Sequence, residues 1–122
     1  MDSIDYQLQA MRTAPESRPE LTLTLQQRRL ILTALGLAGE AGEVAEMVKK
    51  HVFHGHPFEG EAAVKKLVKE LGDVLWYVTY GTRAVDSTLG KVMQTNIDKL
   101  NARYPEGHFS SERSINRRDS DE

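Results

Sequence analysis

The chain has 122 residues and a formal net charge of −2, which suits one soluble domain and gives no electrostatic case for nucleic acid as a partner. It has no cysteine, so disulfides and thiolate zinc sites are excluded. No apolar run approaches the roughly 18 residues of a membrane span, and the acidic start Met1–Tyr6 lacks the basic and apolar regions of a signal peptide; a cytoplasmic protein is expected.

The first element expected is a short helix over residues 2–13, with Ile4, Leu8 and Met11 on one face. Thr13 to Thr24 carries Pro15 and Pro19 and reads as a connection. Thr24 followed by Gln27 is a capping-box pattern, and a long helix is predicted from there to about His54. Leu30, Ala34, Leu37, Ala41, Val44, Ala45 and Val48 give it a helical period. Gly55 and Pro57 should end it. A third helix should span roughly 60–84, with Leu67, Val68, Leu71, Val74, Leu75 and Val78 as its stripe. A fourth should start near Asp86 or Ser87 as cap, carry Leu89, Met93, Ile97 and Leu100, and end before Pro105. The polar stretch that follows is expected to lack order unless a neighbouring subunit holds it. With no β alternation, the architecture is an all-α, four-helix-bundle-like fold.

Two acid pairs carry the chemistry: Glu40 with Glu43, and Glu70 with Asp73. A spacing of three leaves side chains about 60° apart on a helix. Relative to Glu40, the apolar residues Val44, Leu37 and Val48 lie at about 40°, 60° and 80°, and Glu43 at about −60°. Val74, Leu67 and Val78 stand in the same phase to Glu70, and Asp73 takes the place of Glu43. Each pair thus borders a core-facing stripe, and packing the two margins together would converge four carboxylates. Like charges so placed need protons or a cation. An all-oxygen donor set suits Mg²⁺, with Mn²⁺ as a substitute, and Mg²⁺ prefers phosphates as further ligands.

Asn96, Lys99 and Arg103 share one face of the fourth helix, where the two cations can hold phosphate, the arginine bidentately. Charged residues at a stripe margin are more often a solvated flank; two acid pairs and a basic set in matching phase are harder to assign that way. Gly36, Gly39, Gly42, Gly72 and Gly81 interrupt the two acid-bearing helices, each costing about 1 kcal/mol against alanine. Close helix approach, or room for substrate, would offset that cost. His51, His54 and His56 fall at a helix end, where the dipole and last carbonyls account for them without zinc.

These residues resemble the MazG-like, all-α nucleotide pyrophosphohydrolases, whose signature is Glu-x-x-Glu followed at a distance by Glu-x-x-Asp. Here it reads Gly39-Glu40-Ala41-Gly42-Glu43 and Lys69-Glu70-Leu71-Gly72-Asp73, with 26 residues between Glu43 and Glu70. Asn96-Ile-Asp-Lys99-Leu-Asn-Ala-Arg103-Tyr-Pro is similar to the family's closing helix. The resemblance covers about Gly36 to Pro105 and implies a domain over residues 1–105, with 106–122 as a polar tail, disordered or packed on a neighbouring subunit. It implies cleavage of a nucleoside triphosphate between the α and β phosphates, giving monophosphate and pyrophosphate, in nucleotide house-cleaning. It further implies Mg²⁺ on Glu40, Glu43, Glu70 and Asp73, Glu40 or Glu43 as catalytic base, and phosphate binding by Asn96, Lys99 and Arg103. A homodimer or dimer of dimers is implied, with no nucleic acid or membrane partner.

The chain departs from the pattern at Gly39 and Lys69, where some members carry a further acid, which leaves open the number of metals and the base; Glu46 is one candidate to compensate. His108 is inserted before Phe109 in the closing turn. Tyr77, on the acid face, and Phe53, beside the loop between the motif helices, are candidates for base contact, although aromatics so placed more often fill a core or subunit interface. The rival readings are a non-catalytic helical oligomerisation module and a related pyrophosphohydrolase such as the phosphoribosyl-ATP enzyme. A di-iron bundle is disfavoured because no Glu-x-x-His pair is present.

Overall fold

Local capping chemistry sets where the helices begin. In the computed structural model, which describes residues 2–15 and 22–116, they are α1 (Ser3–Met11), α2 (Leu25–His54), α3 (Glu61–Thr82), α4 (Leu89–Arg103) and α5 (Ser111–Ile115). No strand occurs among the described residues, so the all-α class stands. No helix is long and apolar enough to cross a membrane. The Asp2 carboxylate accepts from the N–H groups of Ile4 and Asp5 and starts α1. Part of the expected connection after Thr13, residues 16–21, lies outside the described residues.

Both halves of the capping box form at the start of α2: Gln27 N–H donates to Thr24 Oγ1 at 3.1 Å, and Thr24 N–H donates to Gln27 Oε1 at 2.9 Å. At the other end Gly55 takes φ 69°, the left-handed conformation glycine adopts without penalty. Gly55 and His56 both return their N–H groups to the Lys50 carbonyl. His51 Nδ1 lies 2.8 Å from the His56 carbonyl and donates to it. Of the three histidines that the sequence places at this helix end, His51 is the one whose ring makes such a bond.

α2 and α3 form the main interhelical contact, an antiparallel hairpin. Its register is fixed at three levels. The Tyr77 ring lies directly over Gly36, so closely that no methyl fits there. The Thr33 side chain fills the space beside Gly81. Gln26 Nε2 donates to the Ala84 carbonyl at 2.7 Å, tying the start of α2 to the 3-10 turn Arg83–Val85 that follows α3. Ala84 is fully buried there.

The start of α4 differs from the sequence expectation. Asp86 closes the 3-10 turn at φ 47°, and the Ser87 N–H is bonded back to the Thr82 carbonyl. The cap is Thr88, whose side chain accepts from Lys91 N–H at 3.2 Å. The end before Pro105 is as expected. Beyond it, residues 104–116 are more regular than their composition suggested: Ser110 caps α5, and Arg113 pairs with Glu106 at 2.5 Å. Residues 117–122 lie outside the described residues.

The apolar stripe predicted for the third helix divides. Leu67, Val74 and Val78 are half-buried, whereas Val68, Leu71 and Leu75 are each more than half exposed. α4 makes only a small contact with α3, and its Met93 and Ile97 are half exposed or more. The chain by itself covers one face of each long helix and leaves others open.

A carboxylate cluster and two cavities

The register of the hairpin decides which acids meet. Gly36 and Tyr77 are in contact; one turn onward on α2 is Glu40, and one turn back on α3 is Asp73, with Glu70 a further turn away. Glu40, Glu70 and Asp73 accordingly each present an oxygen within 4.8 Å of the others, Glu40 and Glu70 half-buried and Asp73 exposed. At an effective dielectric constant of about 20, two unit charges at that spacing repel by about 3 kcal/mol. No lysine or arginine relieves this: the ion pairs among the described residues are Glu46 with Lys49 and Lys50, and Glu106 with Arg113.

The donor set fits a hard divalent cation. Oxygens about 2.0–2.1 Å from Mg²⁺ lie about 3–4 Å from one another in an octahedron, so small side-chain adjustments within the observed spacing suffice. Glu43, placed with this set by the sequence, is exposed one turn along and is not among the three converging acids. Glu46 is held by Lys49 and Lys50, and hydrogen bonding to Lys49 first, then to Lys50, keeps its carboxyl below the usual range. It belongs to a surface ion-pair group and not to the cluster. The histidines join no metal-type cluster among the described residues.

The glycines divide by function. Gly36 and Gly81 are required by contacts between α2 and α3, whereas a side chain at Gly39, Gly42 or Gly72 would meet nothing. Those three adjoin the acids and leave open space beside them.

The three polar residues grouped on the fourth helix by phase fall in two cavities. Asn96 and Lys99 line one of about 330 Å³ together with Ser87, Lys91, Val92 and Thr95. Arg103 lines another, of about 790 Å³, with Glu106, His108, Ser110 and Arg113 among its neighbours, and its Nε is buried without a hydrogen-bond partner. The segment after Tyr104 folds back to make this second cavity. Lys91 and Thr95 escaped the sequence reading, although the row Ser87, Lys91, Thr95, Lys99 at every fourth position was there to be seen.

Tyr77 is half-buried against Gly36, with Trp76 edge-on to it at 4.9 Å and Tyr80 stacked on Trp76 at 5.4 Å. Its ring packs the two helices together. Phe53 is 77% exposed near the end of α2, with nothing covering it.

Comparison with known proteins yields a family match over most of this region. The family model described as "MazG nucleotide pyrophosphohydrolase domain" matches residues 28–108. A curated relative, "Gene 37 protein" of Mycobacterium phage L5, is 38% identical over 78 residues, covering 64% of this chain and 68% of that protein. Its name states no activity. No solved structure matches the chain.

Proposed function

Because this chain belongs to the MazG nucleotide pyrophosphohydrolase family, we propose that it hydrolyses a nucleoside or deoxynucleoside triphosphate between the α and β phosphates, releasing the monophosphate and pyrophosphate. The observation that carries this reading is the convergence of Glu40, Glu70 and Asp73 across α2 and α3 with no basic side chain paired to them. Three such carboxylates would hold Mg²⁺, or Mn²⁺ in its place. A divalent cation bound there supplies Lewis-acid polarisation of a phosphoryl oxygen and of the attacking water.

The chain's own residues would do the rest. Glu43, beside the cluster but outside it, is free to take the proton of the attacking water as general base, with Glu40 the alternative. Asn96 and Lys99 would bind phosphate oxygens and stabilise charge on the departing pyrophosphate, with Arg103 acting from the neighbouring cavity. The open space beside Gly39, Gly42 and Gly72 gives the triphosphate room to approach the carboxylates. Phe53 is available to a nucleobase; Tyr77 is committed to helix packing and would have to present its ring edge to serve.

Such an activity suits removal of surplus or non-standard nucleotides. The working form would be a homodimer or a dimer of dimers, since Val68, Leu71, Leu75, Met93 and Ile97 are left uncovered by the single chain.

The test is a panel of ribo- and deoxyribonucleoside triphosphates incubated with the protein and Mg²⁺, with product separation, an EDTA control and the Asp73→Asn variant. Monophosphate and pyrophosphate should appear, and be lost with EDTA and in the variant. Orthophosphate as the primary product, or turnover indifferent to EDTA, would overturn the proposal.

A further inference from the structure

α1 makes no substantial contact with any other helix, and it precedes residues 28–108, the part of the chain matched to the family. At nine residues it is shorter than the roughly 12–15 residues at which even a good helix former becomes marginal in water alone. Its cap at Asp2 fixes where it starts, but a helix so short needs a surface to lie on. Its apolar face is Ile4, Leu8 and Met11, each more than 60% exposed. We propose that this face seats on α3 of a second copy of the chain, against Val64, Val68, Leu71 and Leu75, so that α1 is an arm exchanged between subunits. The inference extends the homo-oligomeric part of the reading above and does not depend on the reaction.

The two faces share a spacing. Ile4, Leu8 and Met11 recur at intervals of four and three, and Val64, Val68, Leu71 and Leu75 at four, three and four. These are the intervals of helices that pack side by side at a shallow crossing angle. All four residues on α3 are more than half exposed. They form a seam separate from the half-buried Leu67, Val74 and Val78 of the same helix. With α1 laid along the seam in either direction, Leu8 falls on Val68 when Ile4 and Met11 take Val64 and Leu71.

Charge favours the same pairing. α1 and its cap carry Asp2 and Asp5 with no base before Arg12, whereas the first half of α3 carries Lys65, Lys66 and Lys69 against Glu61. None of these is in an ion pair among the described residues, and opposite signs on facing elements steer their encounter. Within one chain the two faces stay apart. The thirteen residues between Met11 and Leu25 can span up to about 45 Å when extended, enough to carry α1 beyond its own hairpin. Reciprocal exchange covers both seams of a pair with the same contact, as two-fold symmetry requires.

The chain has no cysteine, so introduced thiols report position directly. Leu8→Cys and Val68→Cys chains, co-expressed with different tags and treated with a short bismaleimide, should become linked to each other. Tyr6→Cys, on the opposite face of α1, should give little of that product. Leu8→Asp should raise the dissociation constant of the oligomer by about tenfold or more, the scale of one buried leucine, and Tyr6→Ser should leave it unchanged.

Equal yields from Leu8→Cys and Tyr6→Cys would overturn the proposal. Linkage found only within single chains of the Leu8→Cys/Val68→Cys double variant would do the same, since it would make the chain's own α1 the occupant. So would an oligomer indifferent to Leu8→Asp. An oligomer that gives no linkage between tags refutes the arm alone, whereas a wild type with the mass of one chain refutes the oligomeric reading beneath it. Turnover is read in a separate assay, and its failure leaves the linkage result standing.

Discussion

An alanine at Gly36 would drive its methyl into the Tyr77 ring. Overpacking of this kind costs about 1–3 kcal/mol, and urea denaturation of Gly36→Ala should show a loss of that size. Gly72→Ala meets nothing and removes a helix glycine, so it should raise stability by about 0.5–1 kcal/mol in the same experiment. Its turnover should fall if the triphosphate uses that space. Sequence alone could not separate the two, because a glycine's neighbours across a helix pair depend on register. The spacing of three places Glu70 and Asp73 on one face, and the structure brings Glu40 beside them. Glu43, expected in the same set, stands outside these three, because phase says which face an acid occupies and not where its partner helix lies. Asp73→Asn should lower kcat by at least about a hundredfold, a loss of roughly 3 kcal/mol of transition-state stabilisation, with unchanged circular dichroism; a milder loss would place the essential carboxylates elsewhere.

Helix boundaries were the most legible part of the sequence where capping was local. Thr24 and Gln27 announced the start of α2, and both of their reciprocal bonds form. Thr24→Ala should cost about 1 kcal/mol, read from the urea midpoint. The start of α4 was harder to read: Asp86 and Ser87 are both good caps by residue type, but Asp86 is drawn into the left-handed close of the 3-10 turn, which carries the helix start on to Thr88. In the final segment, residues 104–116 carry a specific pairing that composition, which registers only polarity, does not reveal. Its anchor is pH-dependent. The Glu106 carboxyl is held below its ordinary value of 4.5 by its own backbone N–H first and then by the Arg113 guanidinium. A depressed carboxyl contributes stability that is fully present above its unfolded value and is lost as pH falls through the folded one. The protection of the backbone amides of 110–116, measured relative to the intrinsic exchange rate at each pH, should therefore fall as the pH drops through that lowered value, and Arg113→Ala should show reduced protection already at neutral pH.

At the scale of the molecule, the exposed faces of α3 and α4 set the expectation. Val68, Leu71 and Leu75 on one helix and Met93 and Ile97 on another leave more apolar surface uncovered than a lone small domain tolerates well. Light scattering should report a mass above that of one chain, and thermal stability should rise with protein concentration, as mass action requires. The hydrophobic pattern revealed that these residues are apolar, but not that half of them turn away from the chain's own core, since a helix with stripes wider than one partner can cover looks the same in sequence. Addition of Mg²⁺ should raise the melting temperature by relieving repulsion among the three carboxylates, and Asp73→Asn should diminish that gain.

The short connection at residues 55–60 also bears on how chains of this kind can change length. The three acids meet because Gly36, Tyr77 and their neighbours hold two helices in one register. One residue gained or lost between Gly36 and Glu40 would swing Glu40 through about 100° and shift it about 1.5 Å along the axis, removing it from the other two. An insertion in the connection leaves every residue of the hairpin in phase. Insertions and deletions that survive selection should therefore collect at that bend, and the sequence distance between the two acid pairs should vary freely while the spacing inside each stays fixed.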